Sequence, residues 1–125
     1  MEQKKLLVRL DSSKLDGVEL DHYDPFPDEM VMEGVSEHQS FTFDHGELYV
    51  GTYQAEPAKL LLKDYPNDEF MYVLSGKIII TEEGGVAEEF GPGQGLVLKK
   101  GFCGTFEMQD NLRKIAIMNG EKYSH

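Results

Sequence analysis

Apolar residues along this chain fall in short runs that are rich in β-branched and aromatic side chains. Gly, Pro, Asn and Asp separate the runs, and no long segment repeats its apolar residues at the helical period. This pattern predicts an all-β fold. The predicted strands cover residues 5–10, 29–33, 40–43, 47–54, 58–64, 69–74, 77–82, 86–90, 95–98, 103–108 and 112–118.

Turn signals occupy the gaps between many of these strands. They are the segments 75–76, 83–85, 91–93, 100–101 and 110–111, which contain glycine, proline or an Asp-Asn pair. Such residues supply a positive φ or the preset φ of proline. Short strands joined at this regular spacing predict a sandwich or a barrel.

The segment 11–28 differs from the rest because it is polar and contains two prolines, Pro25 and Pro27. We predict an arm or loop here, with one helical turn that is capped by Ser12 or Ser13.

The segment 69–74, with sequence EFMYVL, is apolar on both of its alternating faces. Met71 and Val73 share one face, and Phe70, Tyr72 and Leu74 share the other. One apolar face is enough for the core of a monomer, so the second face predicts contact with another sheet. We expect a homodimer that forms through a sheet face. The alternative is a second layer within the same chain.

Size and charge narrow the classes of function. The chain has 125 residues, of which 40% are hydrophobic, and this fits a single domain. Its formal net charge of -11 predicts that neither nucleic acid nor an anionic membrane is a partner, although acidic residues also serve solubility.

Residues 1–13 hold one apolar run, which is too short for secretion or membrane spanning, so we expect a cytoplasmic protein. The single cysteine, Cys103, excludes an internal disulfide and a zinc site built from several thiolates.

Four segments carry a resemblance to a known family. In chain order they are GELYVGTYQAEPAKL, YPNDEFMYVLSGKIIITEEGG, FGPGQGLVLKKGFCGTFE and RKIAI. From about residue 34 the sequence resembles the cupin superfamily, and within it the small single-domain cupins related to ureidoglycine aminohydrolase and to the ethanolamine-utilisation cupin. The resemblance implies a double-stranded β-helix, which is a jelly-roll-like barrel, over residues 34–125. Residues 1–33 then form an N-terminal strand and arm.

The cupin pattern is only partly present. A glutamate and a glycine end its first motif and match Glu69 and Gly76, while two glycines of its second motif match Gly93 and Gly101. The three histidine positions of the pattern hold other residues. They fall on Lys63 and Tyr65, or one residue earlier on Leu62 and Asp64, and on Gly104. The resemblance therefore implies the barrel, while the usual metal chemistry lacks its ligands.

We predict no cofactor and no metal, because a cupin metal needs several imidazoles or carboxylates and Glu69 alone does not supply them. The alternative is a divalent transition metal that takes a further oxygen from Asp64 or Tyr65. The spacing of the histidines matches no ligand motif. They are His22, His38, His45 and His125.

Without a metal, Lys63, Tyr65 and Glu69 remain at the barrel mouth as a polar centre above a floor of Met71 and Val73. Burial lowers the pKa of a lysine and raises that of a carboxylic acid, and a Lys-Glu pair opposes both shifts. Such groups can exchange a proton with a bound substrate, so we predict Lys63, Tyr65 and Glu69 as catalytic residues. The alternative is a structural ion pair between Lys63 and Glu69, with Tyr65 packed beside it.

Substrate contacts are predicted for Met71, Val73, Tyr53, Glu107 and Arg113. Arg113 and Lys114 are adjacent on a predicted strand, so only one of them can reach the cavity. A basic residue there can hold a carboxylate or a phosphate. The alternative for Arg113 is pairing with acidic residues on the surface.

Three functional hypotheses follow. The first is a protein that binds a small polar molecule in the barrel, with acid/base chemistry that needs no metal. The second is a metal-dependent enzyme of nitrogen or amino-compound metabolism, which the resemblance to the aminohydrolase implies. The third is a non-catalytic accessory domain, which a pocket filled by its own side chains would favour.

Overall fold

A computed structural model describes residues 7–20, 22–34, 37–45 and 48–119 of the chain. These residues form one short helix and nine strands, which confirms the predicted all-β class. In that part of the chain, no helix has both the length and the hydropathy that crossing a bilayer requires. The elements are α1 Ser12–Leu15, β1 His22–Pro25, β2 Val31–Gly34, β3 Glu37–His45, β4 Leu48–Ala55, β5 Ala58–Leu62, β6 Glu69–Glu82, β7 Ala87–Phe90, β8 Gly95–Leu98 and β9 Gly104–Asn119.

Strands β6 and β9 pair with each other in antiparallel orientation along most of their length. The pairing runs from Glu69 opposite Met118 to Glu82 opposite Gly104. On its other edge, β6 pairs with β8 through its first half and with β7 through its second half. Likewise, β9 pairs with β5 through its first half and with β4 through its second half. These two long strands therefore belong to two sheets at once.

The shorter strands extend the two sheets outward. The first sheet has the order β1-β3-β4-β9-β6-β8, and the second has the order β2-β5-β9-β6-β7. One cluster of buried apolar side chains contains residues of both sheets, so their inner faces enclose a common core. This is the jelly-roll-like barrel that the sequence predicts.

The two halves of β6 and β9 meet at an irregular stretch of the ladder. The register shifts between Val73 and Ser75 and again between Ser75 and Lys77. Gly76 there has a φ of +81°, and Asp110 and Asn111 across from it have φ values of 57° and 45°.

The turns predicted at 75–76 and 110–111 are therefore wrong, because both positions are bulges inside continuous strands. The predicted strands 69–74 and 77–82 are both part of β6, and 103–108 and 112–118 are both part of β9. A residue that supplies positive φ for a turn supplies it equally for a bulge, which explains the misassignment.

The N-terminal part departs from expectation in two places. Residues 7–10 of the predicted strand 5–10 are not in a strand, and residues 5 and 6 lie outside the described residues. The helical turn is present as α1, but its cap is Asp11, whose Oδ1 accepts a hydrogen bond from the Ser13 N–H at 2.9 Å. Strands β1 and β2 pair with β3 and β5, so the predicted arm contributes to both sheets.

The inner faces of the sheets carry the best-buried side chains. Met71, Val73, Ile78 and Leu112 are each less than 2% exposed. Burying an aliphatic side chain of this size contributes about 1.5–3 kcal/mol. The inward direction predicted for Met71 and Val73 is confirmed.

The outer face of the first sheet is also apolar, but it is exposed. Phe70 is 40% exposed and lies between Ile117, at 37%, and Val97, at 57%. Tyr72, two residues further along β6, is 38% exposed. The two-sided pattern of the segment 69–74 is thus present in the fold, and the homodimer inferred from it stays a prediction.

We expect Gly76→Ala to lower the free energy of unfolding by more than Gly84→Ala does. Both glycines have a φ of +81°, so each alanine adds the cost of a left-handed backbone, about 1–2 kcal/mol. A Cβ at Gly76 would also lie 2.9 Å from the Asp110 carbonyl oxygen and the Leu112 Cα, whereas a Cβ at Gly84 has nothing within 4 Å. Urea unfolding should show an extra loss above about 1 kcal/mol for Gly76→Ala. Equal losses would contradict the close approach at the bulge.

If the exposed face of the first sheet pairs with a second copy, Val97→Glu places an unpaired charge inside the contact and is expected to give a monomer. Val86→Glu is the matched control, because Val86 is 81% exposed and lies before β7, outside that face. Size-exclusion chromatography with light scattering compares the two masses. A wild-type protein that is monomeric at high concentration would contradict the homodimer.

Candidate functional site

A cavity of about 590 Å³ lies among inner-face residues of β3, β4, β5, β6 and β9. Most of its wall is apolar. The lining residues are Phe26, Pro27, Met30, His38, Ser40, Thr42, Tyr49, Tyr53, Ala55, Leu60, Leu62, Lys63, Tyr65, Pro66, Asn67, Glu69, Met71, Phe106, Met108, Leu112, Lys114 and Met118. Pro27, Lys63 and Pro66 are exposed, so the cavity opens to solvent between the N-terminal arm and the residues after β5.

A buried carboxylate forms the polar centre of this cavity. Glu69 is the first residue of β6 and is 3% exposed. Tyr65 donates its hydroxyl hydrogen to Glu69 Oε1, and Lys114 Nζ lies 3.6 Å from Glu69 Oε2. Each carboxylate oxygen therefore has a partner, as the burial of a charge requires.

Lys114 of β9 supplies the cation, and its side chain is only 12% exposed. Its Nζ lies 5.0 Å from the ring centroid of Phe106 and 5.4 Å from that of Tyr53, and it is 3.3 Å from Met71 Sδ. Burial lowers the pKa of Lys114 because the ammonium loses its hydration, and the Glu69 carboxylate opposes this shift. The neutral amine is therefore easier to form here than on an exposed lysine.

The register of β9 decides which of the two adjacent basic residues enters the cavity. Lys114 pairs with Tyr53 on one side and with Val73 on the other, whereas Arg113 pairs with Gln54. Arg113 Nη2 donates a hydrogen bond to Gln54 Oε1 at 2.7 Å. Arg113 thus lies outside the cavity lining, and the inward position predicted for it belongs to Lys114.

Several predicted site residues do meet in the cavity. Tyr53 and Met71 line it together with Tyr65 and Glu69. Lys63 also lines it but is exposed at the mouth, and among the described residues the ion pair of Glu69 is with Lys114. The ion pair predicted as the alternative for Lys63 and Glu69 is therefore not the one observed. Glu69 pairs instead with Lys114 of β9.

Two further predicted contact residues, besides Arg113, lie outside the lining. Val73 is fully buried in the core, at 0% exposure. Glu107 falls between Phe106 and Met108, whose side chains point inward, so its own side chain points to the outer face. There its Oε2 accepts a hydrogen bond from Gln109 Nε2 at 3.4 Å.

Further polar groups line the cavity around this centre. The hydroxyls of Tyr49 and Tyr53 are hydrogen bonded to each other. His38 of β3 stacks on Phe26, with ring centroids 4.4 Å apart and an interplanar angle of 19°. Asn67 Oδ1 is buried and has no hydrogen-bond partner among the residues that the structure describes, so a donor on a ligand can satisfy it.

Two residues, Tyr49 and Asn67, line the cavity without having been predicted to do so. Lys114 was considered only as the alternative to Arg113. Tyr49 lies an even number of positions before Tyr53 on β4, and Lys114 an even number after Phe106 on β9. Residues separated by an even number of positions on a strand share a face, so the sequence contained a signal that Tyr49 and Lys114 point inward. The alternation could not be followed from Phe106 to Lys114, because a turn was predicted between them at 110–111. Asn67 lies in a loop and carries no periodic signal.

The side chains of the cavity do not fit a transition metal. In the described ranges, no group of three or more His, Cys, Asp or Glu side chains is close enough to hold one ion. Glu69 is the one carboxylate in the described lining, and an ammonium 3.6 Å from its Oε2 repels a divalent cation. The part of the lining that the structure describes therefore does not offer the set of donors that such a metal needs.

Comparison with protein families gives one match that covers most of the barrel. The family model of the EutQ-like cupin domain matches residues 40–116, which include Tyr65, Glu69 and Lys114. A search of curated protein sequences found no significant match.

Solved structures share the fold at low sequence identity. The Clostridium difficile EutQ protein is 20% identical, with a TM-score of 0.57, over 69% of this chain and 66% of that chain. A Pseudomonas syringae pv. tomato protein of unknown function is 15% identical, with a TM-score of 0.70, over 83% of this chain but only 46% of that one. The polyketide cyclase RemF from Streptomyces resistomycificus is 12% identical, with a TM-score of 0.66, over 96% and 89% of the two chains. At these identities the likeness concerns the fold alone.

We expect Lys114→Met to lower the free energy of unfolding by about 3–5 kcal/mol, because the buried Glu69 carboxylate loses its cation. The double variant Lys114→Met/Glu69→Gln removes both charges and should recover most of that loss. Lys77→Met is the matched control, since its pair with Glu89 has the same 3.6 Å separation but side chains that are 41% and 59% exposed. Such exposed pairs contribute about 0–1 kcal/mol. Urea unfolding at neutral pH compares the variants, and equal losses for Lys114→Met and Lys77→Met would contradict a buried pair.

Proposed function

Since this chain belongs to the family of EutQ-like cupin domains, we propose that its barrel binds a small organic molecule and transfers protons to or from it without a metal. Tyr65, Glu69 and Lys114 form the reactive centre, and Lys63 contacts the molecule at the mouth. The observation that carries this proposal is the buried pair of Glu69 and Lys114, 3.6 Å apart, in the wall of a mostly apolar cavity that opens to solvent.

The size and lining of the cavity support a small ligand. Its volume of about 590 Å³ lies within the range of about 300–1,000 Å³ typical of small-molecule sites. Leu60, Leu62 and Phe106 offer apolar contact, while Glu69 and Lys114 form one charged pair in the wall. The ligand that fits this lining has an apolar body and one polar group, which narrows the small polar molecule expected from the sequence.

The three reactive side chains complement one another in acid/base chemistry. Glu69 is placed to accept a proton from the ligand, and Tyr65 shares a hydrogen bond with it through Oε1. The Lys114 ammonium stabilises negative charge that develops on a ligand oxygen, and its effect is stronger because the wall around it is apolar.

The other two hypotheses receive less support. An accessory domain with a filled pocket is disfavoured by a cavity of about 590 Å³. A metal-dependent enzyme of amino-compound metabolism is disfavoured by the donor set, in which Glu69 already pairs with an ammonium. The net charge of -11 continues to disfavour nucleic acid as a partner.

We expect Glu69→Gln to weaken the binding of cavity ligands by about tenfold or more, because a hydrogen bond to a charged group contributes about 1.5–3 kcal/mol. Hits from a metabolite library, found by ligand-observed NMR on the wild-type protein, are titrated into both forms. Glu83→Gln is the matched control, since Glu83 is exposed in the turn between β6 and β7. Unchanged affinity in Glu69→Gln would sink the assignment.

The same preparation tests the metal-free part of the proposal. Protein purified without a chelating tag is analysed by elemental mass spectrometry, and we expect transition metal far below one ion per chain. Near-stoichiometric metal would overturn the proposal and favour a metalloenzyme in which Glu69 is a ligand.

A further inference from the structure

We propose that Lys114 is a nucleophilic amine that forms a Schiff base with an aldehyde or ketone bound in the barrel. This rests on the proposed function, because the carbonyl compound must first bind in the cavity. A covalent step at Lys114 goes beyond proton transfer and defines the class of molecule that the site takes.

The position of Lys114 differs from that of the surface lysines. Its side chain is 12% exposed, compared with 41% for Lys77 and 77% for Lys99. Its Nζ faces the cavity between the rings of Phe106 and Tyr53, at 5.0 and 5.4 Å from their centroids. An amine acts as a nucleophile only when it is neutral, and an apolar wall disfavours its protonated form.

A proton acceptor lies beside the amine. Glu69 Oε2 is 3.6 Å from Lys114 Nζ, so the ammonium can pass its proton to the carboxylate and leave two neutral groups in the wall. Tyr65 donates its hydrogen bond to the other oxygen, Oε1, and keeps the carboxylate oriented. The geometry therefore combines a nucleophile with an acid/base group that can serve each step of imine formation.

The reaction balances without any further reactant. The Lys114 nitrogen attacks the carbonyl carbon, a C–N bond forms, and the carbonyl oxygen takes the proton held by Glu69. The nitrogen then returns a proton to Glu69, which delivers it to the new hydroxyl. The C–O bond breaks, water leaves, and the nitrogen lone pair completes the C=N bond. A protonated imine remains, paired with the Glu69 carboxylate.

The lining also restricts the carbonyl compound. With Arg113 on the outer face, the described cations of the lining are Lys114, which is paired with Glu69, and Lys63 at the mouth. A ligand with several anionic groups therefore has no inner partner for them. The cavity suits an uncharged aromatic or aliphatic aldehyde or ketone whose apolar body contacts residues such as Leu60 and Phe106.

Reductive trapping tests the inference. The wild-type chain is incubated at pH 7 with benzaldehyde and sodium cyanoborohydride, whose hydride converts the imine into a stable benzyl amine. Intact mass and peptide mapping then locate the benzyl groups.

Binding of benzaldehyde and of benzyl alcohol, which has no carbonyl, is followed separately by ligand-observed NMR without reductant. Lys77→Met is the matched control for Lys114→Met, and Lys114→Met/Glu69→Gln replaces the single variant if that one does not fold.

We expect one benzyl group on Lys114, added at least about tenfold faster than on any other lysine, because the cavity holds the aldehyde beside this amine and so raises its effective concentration. Lys77→Met should label like the wild type, and variants without Lys114 should lose the fast label. If both probes bind but Lys114 is not labelled preferentially, the Schiff-base inference fails while the proposed function stands. If neither probe binds and Lys114 gains no label, both fail.

Discussion

The antiparallel pairing of β6 with β9 is the interaction on which the rest of the structure depends. It extends from Glu69 opposite Met118 to Glu82 opposite Gly104 and so passes through both sheets, whereas every other described strand belongs to one sheet only. The same ladder places Glu69, at the start of β6, near the half of β9 that carries Lys114. The pairing that joins the two sheets therefore also sets the geometry of the polar centre.

The bulge in β6 keeps both halves of this strand facing the core. Val73 and Ile78 are separated by an odd number of positions, which on a regular strand would put them on opposite faces. Both are 0% exposed, because the register shifts between Val73 and Lys77 reverse the alternation of β6. Without this reversal, one half of β6 would present its apolar residues to solvent and the barrel would lose part of its core.

The features that could be predicted from sequence are those that local chemistry determines. The turns at 83–85 and 91–93 and the inward direction of Met71 and Val73 belong to this class. Asp110 and Asn111 show the limit, because the same two residues suit a chain reversal and a bulge, and only the partner strand distinguishes them. Contacts made by distant parts of the chain, such as the stacking of Phe26 on His38, leave no local pattern at all.

Stability alone does not account for the ion pair in the cavity wall. Removing two charges from water costs several kcal/mol per ion, and well-packed apolar residues in place of such a pair are often as stable or more stable. The inner face of β9 already carries Ala116 and Met118 beyond Lys114, so an apolar residue at that position would continue the existing core. An ammonium there makes the wall less apolar and leaves one amine and one carboxylate facing a space large enough for a ligand. Because the low dielectric of such a wall strengthens the interaction of these groups with whatever enters, the pair is placed where the proposed acid/base chemistry would use it.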